Sequence, residues 1–381
     1  MAMNRIQFQP GLSLPAFLAQ FGTDEQCGGA LEASRWPQGF RCPRCGNADY
    51  YLLKVGKHKT FQCKCCRLQT SLIAGTLFQS THLALSIWFL AIYLVSQAKT
   101  GLSALDLKRQ LGVRYPTAWL IQQKLMQAMV ERDAQYTLSG DVQVDDAYLG
   151  GELAGGKAGR GSENKVPFVA AISLSAEGRP LYIKMAPVPG FTRKAIFNWA
   201  NADLSPNCIV TSDGLGCFAG VTDAGCQHRP VIAGGRKPKD LPEFNWINTV
   251  LGNLKTSLGG AYHAFDFAKY GTRYLGAFVY RFNRRFHLET LPLRLLVAAA
   301  TIGLARHVGF AKLRNLTNQD KFCISSLVSE SDSTLFCSSL FTVLFKLFFF
   351  IRFINENRRL LCSVSELYCV FFDMRMKRDE K

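Results

Sequence analysis

The stretch Asp141-Val-Gln-Val-Asp145 alternates polar and apolar residues and closes on a carboxylate, with Asp146 directly behind it. Period-two alternation reads as a β-strand with Asp145 at its end. Outward from it, Val166 to Ser175 and Arg179 to Val188 read as two further strands, with Glu177-Gly178 as the hairpin turn between them. Thr192 to Leu204 has helical period. Cys208 to Ser212 is a short apolar strand ending at Asp213-Gly214, and His228 to Ala233 is another. Trp246 to Leu258 reads as a helix.

Three strands followed by alternating helix and strand is the order of a ribonuclease H-like α/β domain, a mixed sheet with helices on its faces, here spanning residues 140–300. In that order the first and fourth strands lie side by side, so the carboxylates of Asp145 and Asp213 converge. Taken singly, Asp213-Gly214 is an ordinary turn and Asp145-Asp146 a solvated loop. As a pair they suit phosphoryl transfer, in which two divalent cations roughly 4 Å apart clamp the attacking and leaving oxygens. Mg²⁺ takes oxygen ligands and keeps several waters, so few side chains suffice. His228, at the start of a strand, is expected to be hydrogen-bonded within the fold rather than to ligate metal.

Upstream, Cys42-Pro-Arg-Cys45-Gly46 and Cys63-Lys-Cys-Cys66 form two C-x-x-C pairs separated by 17 residues. A two-residue spacer lets one tight turn aim both thiolates at one ion. Four thiolates complete a tetrahedral shell with no open position, so Cys42, Cys45, Cys63 and Cys66 are expected to hold a structural zinc in a ribbon over residues 36–70. Cys65 is a fifth thiol, but the spacing favours Cys63 with Cys66. Arg41, Arg44, Lys57, Lys59, Lys64 and Arg67 surround the knuckles and suit either phosphate contacts or protein docking.

Residues 71–135 are apolar with helical period. Trp88, Phe89, Ile92, Tyr93 and Val95 make a core stripe. Ser103 caps a short helix through Leu111, Gly112 makes a tight turn, and Thr117 to Met129 forms a second helix with Ala118, Ile121, Leu125 and Met129 inward. Helix, glycine turn, helix is the helix-turn-helix pattern, which helical hairpins share; Arg114, Tyr115, Thr117 and Gln122 are its expected DNA contacts. Further on, Arg281, Arg284 and Arg285, interleaved with Tyr280 and Phe282, read as a phosphate-binding cluster.

The bulk numbers agree. The chain has 381 residues, enough for two or three domains, and a net charge of +17. From residue 311 onward 11 Lys/Arg face 8 Asp/Glu, a surplus of 3, which leaves +14 on the first 310 residues. That excess points to a polyanionic partner, double-stranded DNA first. Thirteen cysteines in a chain of this size fit a reducing compartment, and Met1 to Gln20 shows no signal-peptide pattern, so a cytoplasmic, nucleoid-associated protein is expected. Residues 1–35 read as a helical lead-in. Residues 311–381 are Phe-rich, and Lys346 divides their longest apolar run into Leu335–Phe345 and Leu347–Ile351, short of the roughly 20 residues a membrane span needs. This tail is expected to be non-native or disordered sequence, not a membrane anchor.

These motifs resemble the zinc-ribbon insertion-sequence transposases of the DDE type, the bacterial group with an ISXO-like transposase domain. Gly75-Thr76-Leu-Phe, Leu105-Asp-Leu-Lys-Arg-Gln-Leu-Gly112, Val144-Asp-Asp-Ala-Tyr-Leu-Gly-Gly151, Ser212-Asp213-Gly214, Asn248-Thr-Val-Leu-Gly-Asn-Leu-Lys255, Tyr262-His263 and Tyr280-Arg-Phe-Asn-Arg-Arg285 carry the resemblance, in order, from about residue 15 to 300. It implies metal-dependent (Mg²⁺ or Mn²⁺) cleavage of element ends and strand transfer to target DNA by a homo-oligomer, with no small-molecule substrate. It places the first acidic ligand at Asp145, with Asp146 beside it, and the second at Asp213. The third, often Glu in the family, falls on Asn248, with Glu243 as the substitute. Asn offers a neutral carbonyl oxygen and no basic function. Lys255, two helical turns on, is expected to hold DNA, and His263 to lie near a phosphate. The rival expectation is a catalytically inert zinc-ribbon DNA-binding protein descended from a transposase.

Overall fold

The computed structural model describes residues 9–53, 57–151, 162–232, 234–236, 240–262 and 265–301, all within one unit of the chain, Met1–Arg306. The Phe-rich tail, His263 and residues 152–161 lie outside the described residues.

Two short helices come first, α1 (Leu14–Phe21) and α2 (Asp24–Arg35). Thr23 and Gln26 close a capping box on α2 by exchanging side-chain and backbone hydrogen bonds, which satisfies two otherwise orphaned amides. An antiparallel ribbon follows, β1 (Tyr50–Leu53), β2 (Thr60–Cys63) and β3 (Gln69–Ser71). Then come α3 (Leu85–Gln97), α4 (Ala104–Leu111) and α5 (Tyr115–Asp133). Ser103 caps α4 by accepting from the Asp106 amide, and Gly112 ends it at φ +66°, a left-handed conformation that costs glycine little. The second helix of this pair is longer than its pattern suggests. Pro116 sits in its first turn, where a missing N–H is harmless, and the start moves back to Tyr115.

The remaining described residues build a five-stranded sheet. Its strands are β4 (Asp141–Leu149), β5 (Val166–Leu174), β6 (Pro180–Pro187), β7 (Ile209–Ser212) and β8 (Gln227–Pro230). Their spatial order is β6-β5-β4-β7-β8. The β4–β5 and β5–β6 pairs are antiparallel, and β4–β7 and β7–β8 are parallel, so the sheet is mixed as expected. Gly178 makes the β5–β6 turn at φ +69°. One face packs on α6 (Arg193–Asp203) and the short α7 (Gly220–Asp223), burying Val142, Val144, Val169 and Val210 against Ile196, Trp199, Phe218 and Val221. The other face packs on α8 (Asn245–Ala261) and α9 (Phe267–Asn283), burying Phe168, Ala170, Ile172 and Ile183 against Ile247, Val250, Leu275 and Val279.

A third core joins α1, α2, the ribbon and α3 to α5 with α9 and α10 (Leu291–Thr301). Helix α9 therefore serves two cores. Leu275 and Val279 face the sheet, while Tyr274, Ala277 and Tyr280 face the N-terminal helices. Two glycines make the approach close. A Cβ on Gly271 would lie 2.8 Å from Leu149 Cδ1, and one on Gly276 would overlap the Val130 side chain of α5. Gly276→Ala is therefore expected to lose stability, because overpacking costs about 1–3 kcal/mol against roughly 1 kcal/mol gained in helix propensity. Gly252→Ala on the open side of α8, where nothing lies within 4 Å of the new Cβ, should instead gain up to about 1 kcal/mol. Urea unfolding midpoints of the two variants check both signs.

Candidate functional site

The two knuckles of the ribbon are near copies. The Gly46 amide donates to the Cys42 carbonyl and the Arg67 amide to the Cys63 carbonyl. Both donors have positive φ, +71° at Gly46 and +59° at Arg67. This turn aims both thiols of each pair inward. The Sγ atoms of Cys42, Cys45, Cys63 and Cys66 all lie within 4.8 Å of one another, with Cys42–Cys66 and Cys45–Cys63 at 3.5 Å. A zinc with four 2.3 Å bonds separates its sulfurs by about 3.8 Å, so the four thiols fit that ion. Cys65 is exposed and outside the cluster. The ribbon is anchored to α2 by Arg35, which donates to the carbonyls of Ser71 and Leu72 and lies 4.4 Å from the Trp36 ring centroid.

The second cluster is acidic. Carboxylate oxygens of Asp145, Asp146 and Asp213 lie within 4.8 Å of one another, all half-buried. Asp145 is not at a strand end. Strand β4 runs on to Leu149, because β5 pairs with it antiparallel along its whole length, Asp145 opposite Ala170. The parallel pairing with β7 stops earlier, at Gln143 opposite Thr211. Asp145 and Asp213 each lie two residues past that last pair, so they are level and, with period two, on the same side as Gln143 and Thr211. Asp213 is fixed by a tight turn in which its Oδ1 accepts from the Leu215 amide at 3.1 Å, with Gly214 at φ +84°. Asp145 Oδ1 accepts from the Asp146 amide at 2.9 Å.

His228 is hydrogen-bonded, as the sequence suggests. Its Nε2 lies 2.9 Å from Ser212 Oγ, which also accepts from the Gly214 amide at 3.4 Å. Burial pulls the imidazole below its ordinary pKa. The strand around it is shorter than expected, Gln227–Pro230, and ends on a proline.

Helix α8 begins over the Asp145 face, where Gln143 Oε1 accepts from the Ile247 amide at 3.2 Å. Asn248 is the next residue and is exposed, as is Lys255. Glu243, in the short turn Pro242–Phe244 before α8, is not among the clustered carboxylates.

The expected DNA contacts divide sharply. Arg114 and Tyr115 are exposed at the start of α5 and Thr117 is half-exposed; Lys108 and Arg109 are exposed on α4 beside them. Gln122 does not face outward. It is buried and donates to the Leu102 carbonyl, tying α5 to the loop that leads into α4. The Arg281, Arg284 and Arg285 cluster is likewise turned into the fold. Arg281 is buried, and desolvation lowers its pKa despite nearby Tyr262. Arg284 pairs with Asp133 at 2.6 Å and covers Tyr280 at 3.6 Å. Arg285 donates to the carbonyls of Leu181 and Pro180, joining α9 to the β5–β6 hairpin; burial brings it down to about 10. Sequence spacing shows the charge of these residues but not the carbonyls and carboxylates that long-range packing brings to them.

Comparison with known families agrees on the class of protein. Residues 137–283 match the ISXO2-like transposase domain and residues 22–69 the transposase zinc-ribbon domain, which starts inside the region read as a helical lead-in. The chain belongs to the insertion-sequence transposase family that carries these two domains. A relative from Halobacterium salinarum, an uncharacterized protein in transposable element ISH50, is 28% identical over 166 residues, 42% of this chain and 52% of the relative. The chain thus spans about half the length of that curated relative. Solved structures that align include a pre-cleavage Mos1 transpososome (11% identity, TM-score 0.18, 53% of this chain and 74% of that one) and the Mos1 strand transfer complex (14%, 0.19, 56% and 78%). Among the described residues no helix is long and apolar enough to cross a membrane.

The thiol cluster makes a direct prediction. The purified chain should carry one zinc per chain, retained in Cys65→Ser and lost in Cys45→Ser. Metal analysis of the two variants checks it, and loss of zinc from Cys65→Ser would reassign the fourth ligand.

Proposed function

We propose that this chain is a DNA transposase that cleaves element ends and joins them to target DNA, with Asp145 and Asp213 as metal-binding carboxylates and Asn248 as the third member of the site. The observation that carries this reading is the convergence of Asp145, Asp146 and Asp213 within 4.8 Å on a mixed sheet, inside the stretch that matches the transposase domain. The strand order β6-β5-β4-β7-β8, with β5 alone antiparallel to the other four strands, supports a ribonuclease H-like assignment.

Carboxylate oxygens are hard ligands, and three within reach of one another suit Mg²⁺ or Mn²⁺. Such ions, when bound, stabilise the attacking and leaving oxygens of an in-line displacement. The protein's own work is to hold the carboxylates. The Asp213 turn is braced by Gly214 and by the Ser212–His228 pair, and Asp145 is held by a strand paired on one side throughout. Asn248 opens onto solvent from the first turn of α8, beside the residue that Gln143 anchors. A carbonyl there can orient a water or a ligand, but it carries no charge.

For DNA, the pair α4 and α5 joined by Gly112 is read as a helix-turn-helix, with Arg114, Tyr115 and Thr117 at the exposed start of α5. Lys255, exposed on α8, is a further phosphate contact. Double-stranded DNA as substrate, a homo-oligomeric assembly on paired ends and a cytoplasmic location belong to this same reading. The exposed, neutral Asn248 is what favours the second reading, an inert DNA-binding descendant.

Strand-transfer assays with Mg²⁺ or Mn²⁺ separate the two. Removing a metal ligand forfeits several kcal/mol of charge stabilisation, so Asp213→Ala should lower the rate by at least about 10³-fold while leaving duplex binding intact. DNA binding with no metal-dependent cleavage by the wild-type chain would establish the inert reading.

A further inference from the structure

A cavity of about 230 Å³ lies between the end of α5, the end of α9 and the first turns of α10. Arg132, Arg284 and Arg294 line it, together with Tyr136 and Tyr280. It is built from none of the elements that carry Asp145 or Asp213, and neither the transposase reading nor the family matches assign it a role.

The charges are unevenly spent. Arg284 is committed to Asp133 at 2.6 Å and to the Tyr280 ring. Arg132 donates to Gln135 Oε1 at 3.2 Å, and Arg294 Nε donates to Thr290 Oγ1 at 3.1 Å; among the described residues no carboxylate pairs with either. Three guanidiniums against one carboxylate leave a surplus of two positive charges. The Tyr280 side chain is fully buried, yet its hydroxyl has no hydrogen-bond partner among the described residues. Buried hydroxyls are normally satisfied, and one without a partner on a residue that lines a cavity points to a ligand there. Burial pushes that hydroxyl up to about 12; Arg284, Arg132 and Arg294 pull against the rise and Asp133 adds to it.

Two guanidiniums without a carboxylate at the same cavity suit an anion with several acceptor oxygens. Planar guanidinium forks match phosphate geometry. The volume falls below the roughly 300 Å³ at which small-molecule pockets begin, so a phosphate group fits better than a whole nucleotide. We propose that this cavity binds a phosphate group through Arg132, Arg294 and the Tyr280 hydroxyl, with Arg284 held beneath by Asp133 as a fixed charge. The group comes either from inorganic phosphate or from a nucleic-acid backbone.

The test uses the full chain and needs no catalysis, so it stands apart from the success or failure of the transposase reading. Thermal unfolding is followed with inorganic phosphate against sodium chloride at equal ionic strength, for wild type, Arg294→Ala and Tyr280→Phe. A phosphate-specific rise of about 2 °C or more is expected for wild type, and it should vanish in both variants. Without phosphate, Tyr280→Phe should melt no lower than wild type, because it removes an unpaired hydroxyl; a folded variant that has lost the response separates binding from packing. A mobility assay with a duplex then tells the sources apart. Several-fold weaker duplex binding by Arg294→Ala assigns the site to a nucleic-acid phosphate, and unchanged binding assigns it to the free anion. No phosphate-specific shift in wild type, or a shift that persists in either variant, overturns the proposal.

Discussion

Strands β4 and β7 run parallel for only three residue pairs, Asp141 with Ile209, Val142 with Val210 and Gln143 with Thr211. That short register decides where the acidic cluster sits. It brings two segments far apart in sequence into line, so that Asp145 and Asp213, each two residues further on, meet beyond the last pair. Side chains alternate faces along a strand, and a slip of one residue would send Asp213 to the opposite side. The register is protected on both sides. Val142, Val144 and Val210 are buried against α6 and its neighbours, and the other face is covered by α8 and α9.

Around that sheet the helices do not form separate modules. Helix α9 supplies Leu275 and Val279 to the sheet and Tyr274, Ala277 and Tyr280 to the core shared with the ribbon and the N-terminal helices. Polar links run parallel to this packing. Lys184 of β6 reaches the Asp133 carbonyl at 2.8 Å and Asp203 at 3.1 Å, tying the sheet to the end of α5 and to α6. Tyr262, just after α8, has its hydroxyl accept from the Leu102 amide at 3.2 Å, against Gly101, whose φ is +101°. Gly101 could carry no side chain there, since a Cβ would lie 2.8 Å from Tyr262 Cε2. The helix that bears Asn248 and Lys255 is thereby fastened to the loop leading into the helix pair read as the DNA-binding element.

Much of this was legible in the sequence, for reasons of range. The cysteine pairs are local: two residues between thiols set each turn, with Gly46 suited to the positive φ after the first pair, and the four thiols gather as read. Strand and helix positions in the sheet domain followed from period, because each face is buried against one layer. Apart from the start of α5, which Pro116 sets locally, the misreadings are long-range. Asp145 sits within its strand because β5, distant in sequence, keeps pairing after β7 has stopped. Gln122 and the Arg281, Arg284 and Arg285 cluster are polar residues that look available, but Leu102, Asp133, Pro180 and Leu181 claim them or burial removes them. Arg132 and Arg294 drew no notice, since their common cavity exists only when α5 and α10 meet.

The central claim is that Asp145 and Asp213 share divalent cations, and anomalous scattering from a crystal of this chain soaked in Mn²⁺ tests it most directly. The account predicts a manganese peak coordinated by both aspartates. Manganese bound only elsewhere, or at one aspartate with the other turned away, would contradict it.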